Sequence, residues 1–297
     1  MVAVQTNGIT IEYDEQGSGE PLLLIMGLGG QLVDWPQRLI GHLTGLGFRV
    51  IRFDNRDIGL STEFTGVAPP TRRQLAKAVT AGRPMPAAYL LSDMAADAAG
   101  LLDALGVERA HVVGMSMGGM IAQQFAIDAP GRVSSLVSIM STTGSRRVGR
   151  PTTKVARMSL RRPAEDPDEA TDRAVEFFRE ISGPRFDEAE FRATAKADYE
   201  RSFRPEGTAR QLAAIVASGD RTAALRQLDV PTQVIHGLVD TLVRPSGGIA
   251  TAQAIPGSRL LMFNDMGHDL PGTRHEEIAQ AVAANAARAR RSAAVSV

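Results

Sequence analysis

A serine set among glycines, Gly114-Met115-Ser116-Met117-Gly118-Gly119, stands between a short apolar run, His111-Val112-Val113, and a longer helical pattern, Met117–Ala129. A serine on a sharp strand-to-helix turn projects its hydroxyl above the sheet edge. Small residues two before and two after it are required there because strand and helix nearly touch. The helix N-terminus also directs free N–H groups at any developing negative charge. Glycine–serine–glycine matches are common in a glycine-rich chain. The position at a strand-to-helix junction is what marks Ser116 as a nucleophile.

A hydroxyl nucleophile needs a base, and the base needs an orienting acid. The chain has five histidines. His268, in Asp265-Met266-Gly267-His268-Asp269, directly follows the apolar run Leu260–Phe263, at the sheet edge where open α/β sheets bind ligands. His42 and His275 fall in helical patterns and read as surface residues. His111 lies at the entry end of its strand, on the wrong edge. His236 ends a strand and is the rival base. Asp240, in His236-Gly237-Leu238-Val239-Asp240, leaves the run Thr232–Ile235 and reads as the acid that fixes the tautomer of His268. Asp265 and Asp269 are too near His268 in sequence to reach its Nδ1 with ordinary backbone geometry.

Acyl chemistry further requires two N–H donors for the oxyanion. The backbone N–H of Met117 is one. The loop Gly27-Leu28-Gly29-Gly30, after the run Leu22–Met26, supplies the other, assigned to Leu28 with Gly27 as second choice. Met26, Gly27, Trp35 and Met266 are expected to line the substrate site, the methionines filling irregular apolar space. The glycine spacing does not match a dinucleotide fingerprint, and no His, Asp and Glu set has metal-ligand spacing. The expectation is therefore no cofactor and no metal. Asp54-Asn55-Arg56-Asp57-Ile58-Gly59-Leu60-Ser61 reads as a hydrogen-bonded loop buttressing the oxyanion loop.

These residues must be positioned by a scaffold. Asn7-Gly8 between two β-rich runs signals a hairpin. Six further runs read as buried strands: Leu22–Met26, Arg49–Phe53, His111–Val113, Leu136–Met140, Thr232–Ile235 and Leu260–Phe263. Trp35–Leu46, Ser92–Leu105, Met117–Ala129, Gly247–Ala254 and Arg274–Ala287 read as helices between them. That alternation predicts an α/β fold, a mostly parallel central sheet flanked by helices. Residues 142–227 carry no strand pattern and are rich in charge and helix formers, so they read as a helical cap inserted into a core of residues 1–141 and 228–297. Pro69-Pro70 and Arg83-Pro84-Met85-Pro86 frame a shorter excursion, expected as an irregular loop. The tail from Ala286 reads as a fraying helix end with solvated arginines.

The 297 residues, 43% of them apolar, suffice for a sizeable core. Lys+Arg 33 against Asp+Glu 33 leaves no net charge, which argues against nucleic acid as a partner. The absence of cysteine excludes disulfides, thiolate metal sites and a cysteine nucleophile. The N-terminus lacks a secretory pattern, and no apolar run approaches the ~18 residues that span a bilayer. The expected setting is cytoplasmic, with a small-molecule partner.

With these residues in hand, the chain resembles the α/β-hydrolase superfamily over nearly its whole length. The match is carried by the elbow Gly114–Gly118, the acid loop His236–Asp240, and Gly267-His268. Met26-Gly27-Leu28-Gly29-Gly30 with Trp35-Pro36, and Arg52–Ser61, look like the actinobacterial carboxylesterase and lipase-like group that includes aclacinomycin methylesterase. The resemblance implies the α/β-hydrolase fold and ester hydrolysis through Ser116, His268 and Asp240. Many relatives carry His-Gly where this chain has Met26-Gly27, a change that touches loop support and pocket polarity more than chemistry. Thioester or C–C hydrolysis, perhydrolysis, and non-catalytic binding on the same scaffold are the competing functions.

Overall fold

The computed structural model describes residues 1–81, 84–159, 161, 164 and 166–295. Arg83 and four residues of the expected cap, 160, 162, 163 and 165, lie outside the described residues. In chain order the strands are β1 (Val2–Thr6), β2 (Ile9–Gln16), β3 (Glu20–Ile25), β4 (Phe48–Phe53), β5 (Ala110–Met115), β6 (Val133–Ile139), β7 (Thr232–Gly237) and β8 (Arg259–Phe263). The helices are α1 (Gln37–Gly45), α2 (Arg72–Ala81), α3 (Leu91–Ala104), α4 (Met117–Asp128), α5 (Thr153–Ser159), α6 (Pro167–Ile181), α7 (Glu188–Arg201), α8 (Pro205–Ser218), α9 (Thr222–Leu225), α10 (Ser246–Ala254) and α11 (His275–Val295).

The eight strands form one sheet in the order β1-β2-β4-β3-β5-β6-β7-β8. β1 and β2 pair antiparallel, as do β2 and β4; every pair from β4 to β8 is parallel. Asn7 and Gly8 both take positive φ, 47° and 75°, as the two-residue hairpin turn demands. Side chains alternate across the pleat. Leu23 and Ile25 of β3 join the core layer under α3 and α4, while Leu22 and Leu24 join the layer under α1 and α11. Both faces are therefore apolar and covered, which is why the strands read as continuous hydrophobic runs.

Between β6 and β7 the described residues form helices α5–α9 and connecting turns. α1 begins at Gln37 rather than at Trp35, with Pro36 at its N-cap. The excursion after Pro69-Pro70 is not an irregular loop. α2 forms there and packs Leu75 and Ala78 against Ala213, Val216 and Ala217 of α8. The tail does not fray at Ala286, which is buried within α11. Asn285 donates to the carbonyls of Leu136 and Pro231, and Arg288 to those of Thr232 and Gly257. These bonds tie α11 to carbonyls beside the sheet, and Arg290 pairs with Glu20. Arg288 is thus an anchor, whereas Arg290 and Arg291 are exposed, as expected of the tail. His275 is likewise buried, its Nε2 2.9 Å from the Leu270 carbonyl.

Candidate active site

Ser116 occupies the turn between β5 and α4 with φ 56° and ψ −118°, a conformation costly for any residue with a Cβ. The surroundings enforce it. Ser116 N–H donates to the Ile139 carbonyl at 2.9 Å, and Ser141 Oγ donates to the Ser116 carbonyl at 2.7 Å. The flanking glycines are sterically required. A Cβ on Gly114 would stand 2.1 Å from the Gly118 carbonyl oxygen, and one on Gly118 would stand 1.9 Å from that of Ile25.

The loops after β7 and β8 bring an acid and an imidazole to this hydroxyl. His268 Nε2 lies 2.9 Å from Ser116 Oγ, and His268 Nδ1 lies 2.7 Å from Asp240 Oδ2. Asp240 Oδ1 accepts from the N–H groups of Leu242 and Val243, each at 2.9 Å. Burial pushes the Asp240 carboxyl up, but the facing charge of His268 and hydrogen bonding with His236 and His268 outweigh it and hold it at about 2. Asp240 is thus ionised at neutral pH and requires a proton on Nδ1 of the imidazole. Nε2 is then the lone-pair nitrogen that faces the hydroxyl.

The loop after β3 closes the other side. A Cβ on Gly27 would lie 3.2 Å from Ser116 Cβ and 3.8 Å from Ser116 Oγ. Gly30 N–H donates back to the Gly27 carbonyl at 3.2 Å, with Gly29 at φ 73° in the turn between them. The Leu28 N–H has no protein acceptor among the described residues. Met117 N–H, first in α4, has no intrahelical acceptor. The loop after β4 does buttress this turn. Asn55 Nδ2 donates to the Met26 carbonyl at 3.0 Å, and Asp54 Oδ1 accepts from Leu32 N–H at 2.7 Å.

Three residues expected at the substrate are buried side chains. Met26, Trp35 and Met266 are 5%, 1% and 0% exposed and belong to the core layer shared with α1 and α11. Their apolar surface is consumed by packing beneath the loops. Gly27 borders Ser116. His236 is fully buried, with Nε2 2.7 Å from the Val243 carbonyl and 3.5 Å from Asp240 Oδ2. Asp265 pairs with Arg185 and Arg274. Asp269 Oδ1 accepts from Gly183 N–H at 3.0 Å and Gly267 N–H at 2.9 Å.

The helices between β6 and β7 reach both loops, a feature with no signal in the sequence. The C-terminal residue of α6 contributes the Ile181 carbonyl, which accepts from His268 N–H at 2.7 Å. From α7, Arg201 pairs with Asp54 at 2.8 Å; from α8, Arg210 pairs with Asp57 at 2.8 Å. No group of three or more His, Asp or Glu side chains among the described residues is arranged to hold a metal. Nor is any described helix long and apolar enough to cross a membrane.

A family model described as the alpha/beta hydrolase fold matches residues 20–273. The rhodomycin D methylesterase DauP of Streptomyces sp. (strain C5) is 30% identical over 288 residues, covering 89% of this chain and 90% of that relative. Among solved structures, an esterase from Exiguobacterium antarcticum superposes with a TM-score of 0.75 at 19% identity, over 96% of this chain and 98% of that one. An enol-lactonase from Burkholderia xenovorans LB400 does so with 0.70 at 22% identity, over 98% and 100%. Identities this low carry the fold alone.

Proposed function

The chain belongs to the α/β-hydrolase family, and from that premise we propose that it is a carboxylic ester hydrolase acting through Ser116, His268 and Asp240. The observation that carries the proposal is the continuous pair of contacts from Ser116 Oγ to His268 Nε2 and from His268 Nδ1 to Asp240 Oδ2, at 2.9 and 2.7 Å. Ser116 Oγ attacks the ester carbonyl while its proton passes to Nε2. The tetrahedral oxyanion is received by the N–H groups of Leu28 and Met117. Nε2–H then protonates the leaving alcohol as the C–O bond breaks, leaving an acyl-Ser116. Water, deprotonated by the same nitrogen, attacks that acyl group, and Nε2–H returns the proton to Ser116 Oγ as the acyl C–O bond breaks and the acid leaves.

The helices of residues 142–227 act as the cap over this site. Arg210, which is buried, and Arg201, which is partly buried, are engaged by Asp57 and Asp54, and the buried Arg221 donates to Gln123 Oε1 and the Thr142 carbonyl, so none of the three offers a free cation to an anionic substrate. An uncharged small ester fits that arrangement, because a charged group would lose its hydration without compensation. The similarity to a rhodomycin D methylesterase adds methyl esters of bulky acids as the class to test first. Acetyl, butyryl, octanoyl and palmitoyl p-nitrophenyl esters, a succinyl monoester and methyl esters of bulky polycyclic acids form the panel. Turnover of the neutral esters, with one fluorophosphonate label per chain that Ser116→Ala abolishes, is the expected result. Labelling that survives in Ser116→Ala sinks the nucleophile, and preference for the succinyl ester sinks the neutral-substrate reading. Turnover confined to thioesters or C–C bonds would reassign the reaction while keeping the nucleophile.

A further inference from the structure

We infer that Gln211, on cap helix α8, is a positioning residue for the oxyanion hole. The inference rests on the ester-hydrolase reading above. Gln211 is fully buried, and both ends of its amide are engaged. Oε1 accepts from Gly29 N–H at 3.0 Å, and Nε2 donates to the Arg56 carbonyl at 2.8 Å. One side chain of the cap therefore joins the loop after β3 to the loop after β4.

What this does to the Leu28 N–H follows from the peptide planes. Asn55 Nδ2 holds the Met26 carbonyl, which lies in the plane before the donor's own. The plane that carries Leu28 N–H also carries the Gly27 carbonyl, which accepts from Gly30 N–H. The next plane carries Gly29 N–H, held by Gln211. Three successive planes are fixed, and the last is fixed from the cap. Gly29 sits at φ 73°, and a Cβ there would meet Thr208 Oγ1 at 3.1 Å. Thr208 and Gln211 lie one turn apart on α8, so the same helix face both packs on the turn and bonds it. The far anchor is also firm, because Arg56 makes two bonds to Asp97, at 2.6 and 2.7 Å. Without Gln211, nothing else shown donates to or accepts from the Leu28–Gly29 peptide, and the plane of the oxyanion donor keeps only its 3.2 Å bond from Gly30 N–H and the hold on the plane before it. Donor placement within tenths of an ångström governs such stabilisation.

The test is Gln211→Ala and Gln211→Glu on the full chain. α8 keeps its independent anchor, Arg210 on Asp57, so Gln211→Ala retains the fold. With p-nitrophenyl butyrate its kcat is expected to fall about ten- to hundredfold, less than the ~10²–10³ for deleting a donor outright. KM stays within about twofold and fluorophosphonate still labels Ser116 to one equivalent. The Ki of a boronic acid, whose tetrahedral adduct places an oxygen at the hole, rises by the same factor. Gln211→Glu accepts from Gly29 when ionised but donates to the Arg56 carbonyl only when protonated. Its activity relative to wild type is therefore expected to rise as pH falls. That ratio decides the matter if the alanine variant does not fold. Unchanged kcat and Ki in Gln211→Ala, or a flat ratio for Gln211→Glu, overturns the inference while leaving the hydrolase reading intact. A wild type that neither turns over esters nor takes the label overturns that reading instead, and the inference with it.

Discussion

Asp240 divides its two carboxylate oxygens between His268 and its own loop. Oδ2 faces His268 Nδ1 at 2.7 Å, while Oδ1 is held by the backbone N–H groups of Leu242 and Val243. The acid is thereby fixed before it orients the imidazole. Asp240→Asn is expected to keep the fold and to lower kcat by up to ~10⁴, because an amide no longer secures the Nδ1–H tautomer. Asp265→Asn and Asp269→Asn should lose far less, since one carboxylate pairs with arginines and the other accepts only backbone N–H groups. Comparing kcat of the three purified variants at one pH checks this.

His236 lies 3.5 Å from the same Asp240 oxygen, but its Nε2 is committed to the Val243 carbonyl at 2.7 Å. His236→Ala is expected to retain activity within about tenfold, and to lose ~1–3 kcal/mol of stability by leaving a buried carbonyl unpaired. His268→Ala should be inactive with the fold intact. Initial rates and urea midpoints separate the two effects; an inactive His236 variant beside an active His268 variant would reverse the assignment.

Gly118→Ala should not yield a native protein. Its methyl group would fall 1.9 Å from the Ile25 carbonyl oxygen and 2.7 Å from that of Met26, backbone atoms that cannot rotate away. The cost is expected to exceed ~3 kcal/mol. Gly131→Ala, where nothing lies within 4 Å, is the control and should stay within ~0.5 kcal/mol of wild type. Thermal melts of both read the difference, and a Gly118→Ala melt matching the control would refute the close approach.

Two buried imidazoles predict acid weakening. Burial pushes His111 and His275 below the ordinary histidine value, against opposing help from Glu20 and the Leu270 carbonyl respectively. Below the unfolded pKa of ~6.5 the unfolded chain binds protons that the folded chain resists. The contribution is therefore present above that pH and lost as pH falls through the depressed folded values. Tm should drop between pH 7.5 and 5.5, and the drop should shrink in His111→Gln combined with His275→Gln. An unchanged drop in the double variant would assign the acid effect to other groups.

The parallel sheet and the serine turn were legible in the sequence because their causes are local. Leu22–Met26 and Thr232–Ile235 are apolar enough to be buried on both faces, and only glycines fit around Ser116. The hairpin was legible from Asn7-Gly8, whose positive φ values few other residue pairs accept. The burial of Met26, Trp35 and Met266 was not legible, because an apolar side chain beside a loop packs equally well below it or above it. Only the fold decides which side is open. α2 was missed because its proline-framed ends resemble a loop until Leu75 and Ala78 find α8. The role of residues 142–227 was the least legible of all. Ile181, Arg201, Arg210 and Gln211 act through contacts with segments far away in the chain, such as the Ile181 carbonyl on His268 N–H. A hydrogen bond to a distant loop leaves no periodicity in the sequence around its donor, so tertiary packing alone determines it.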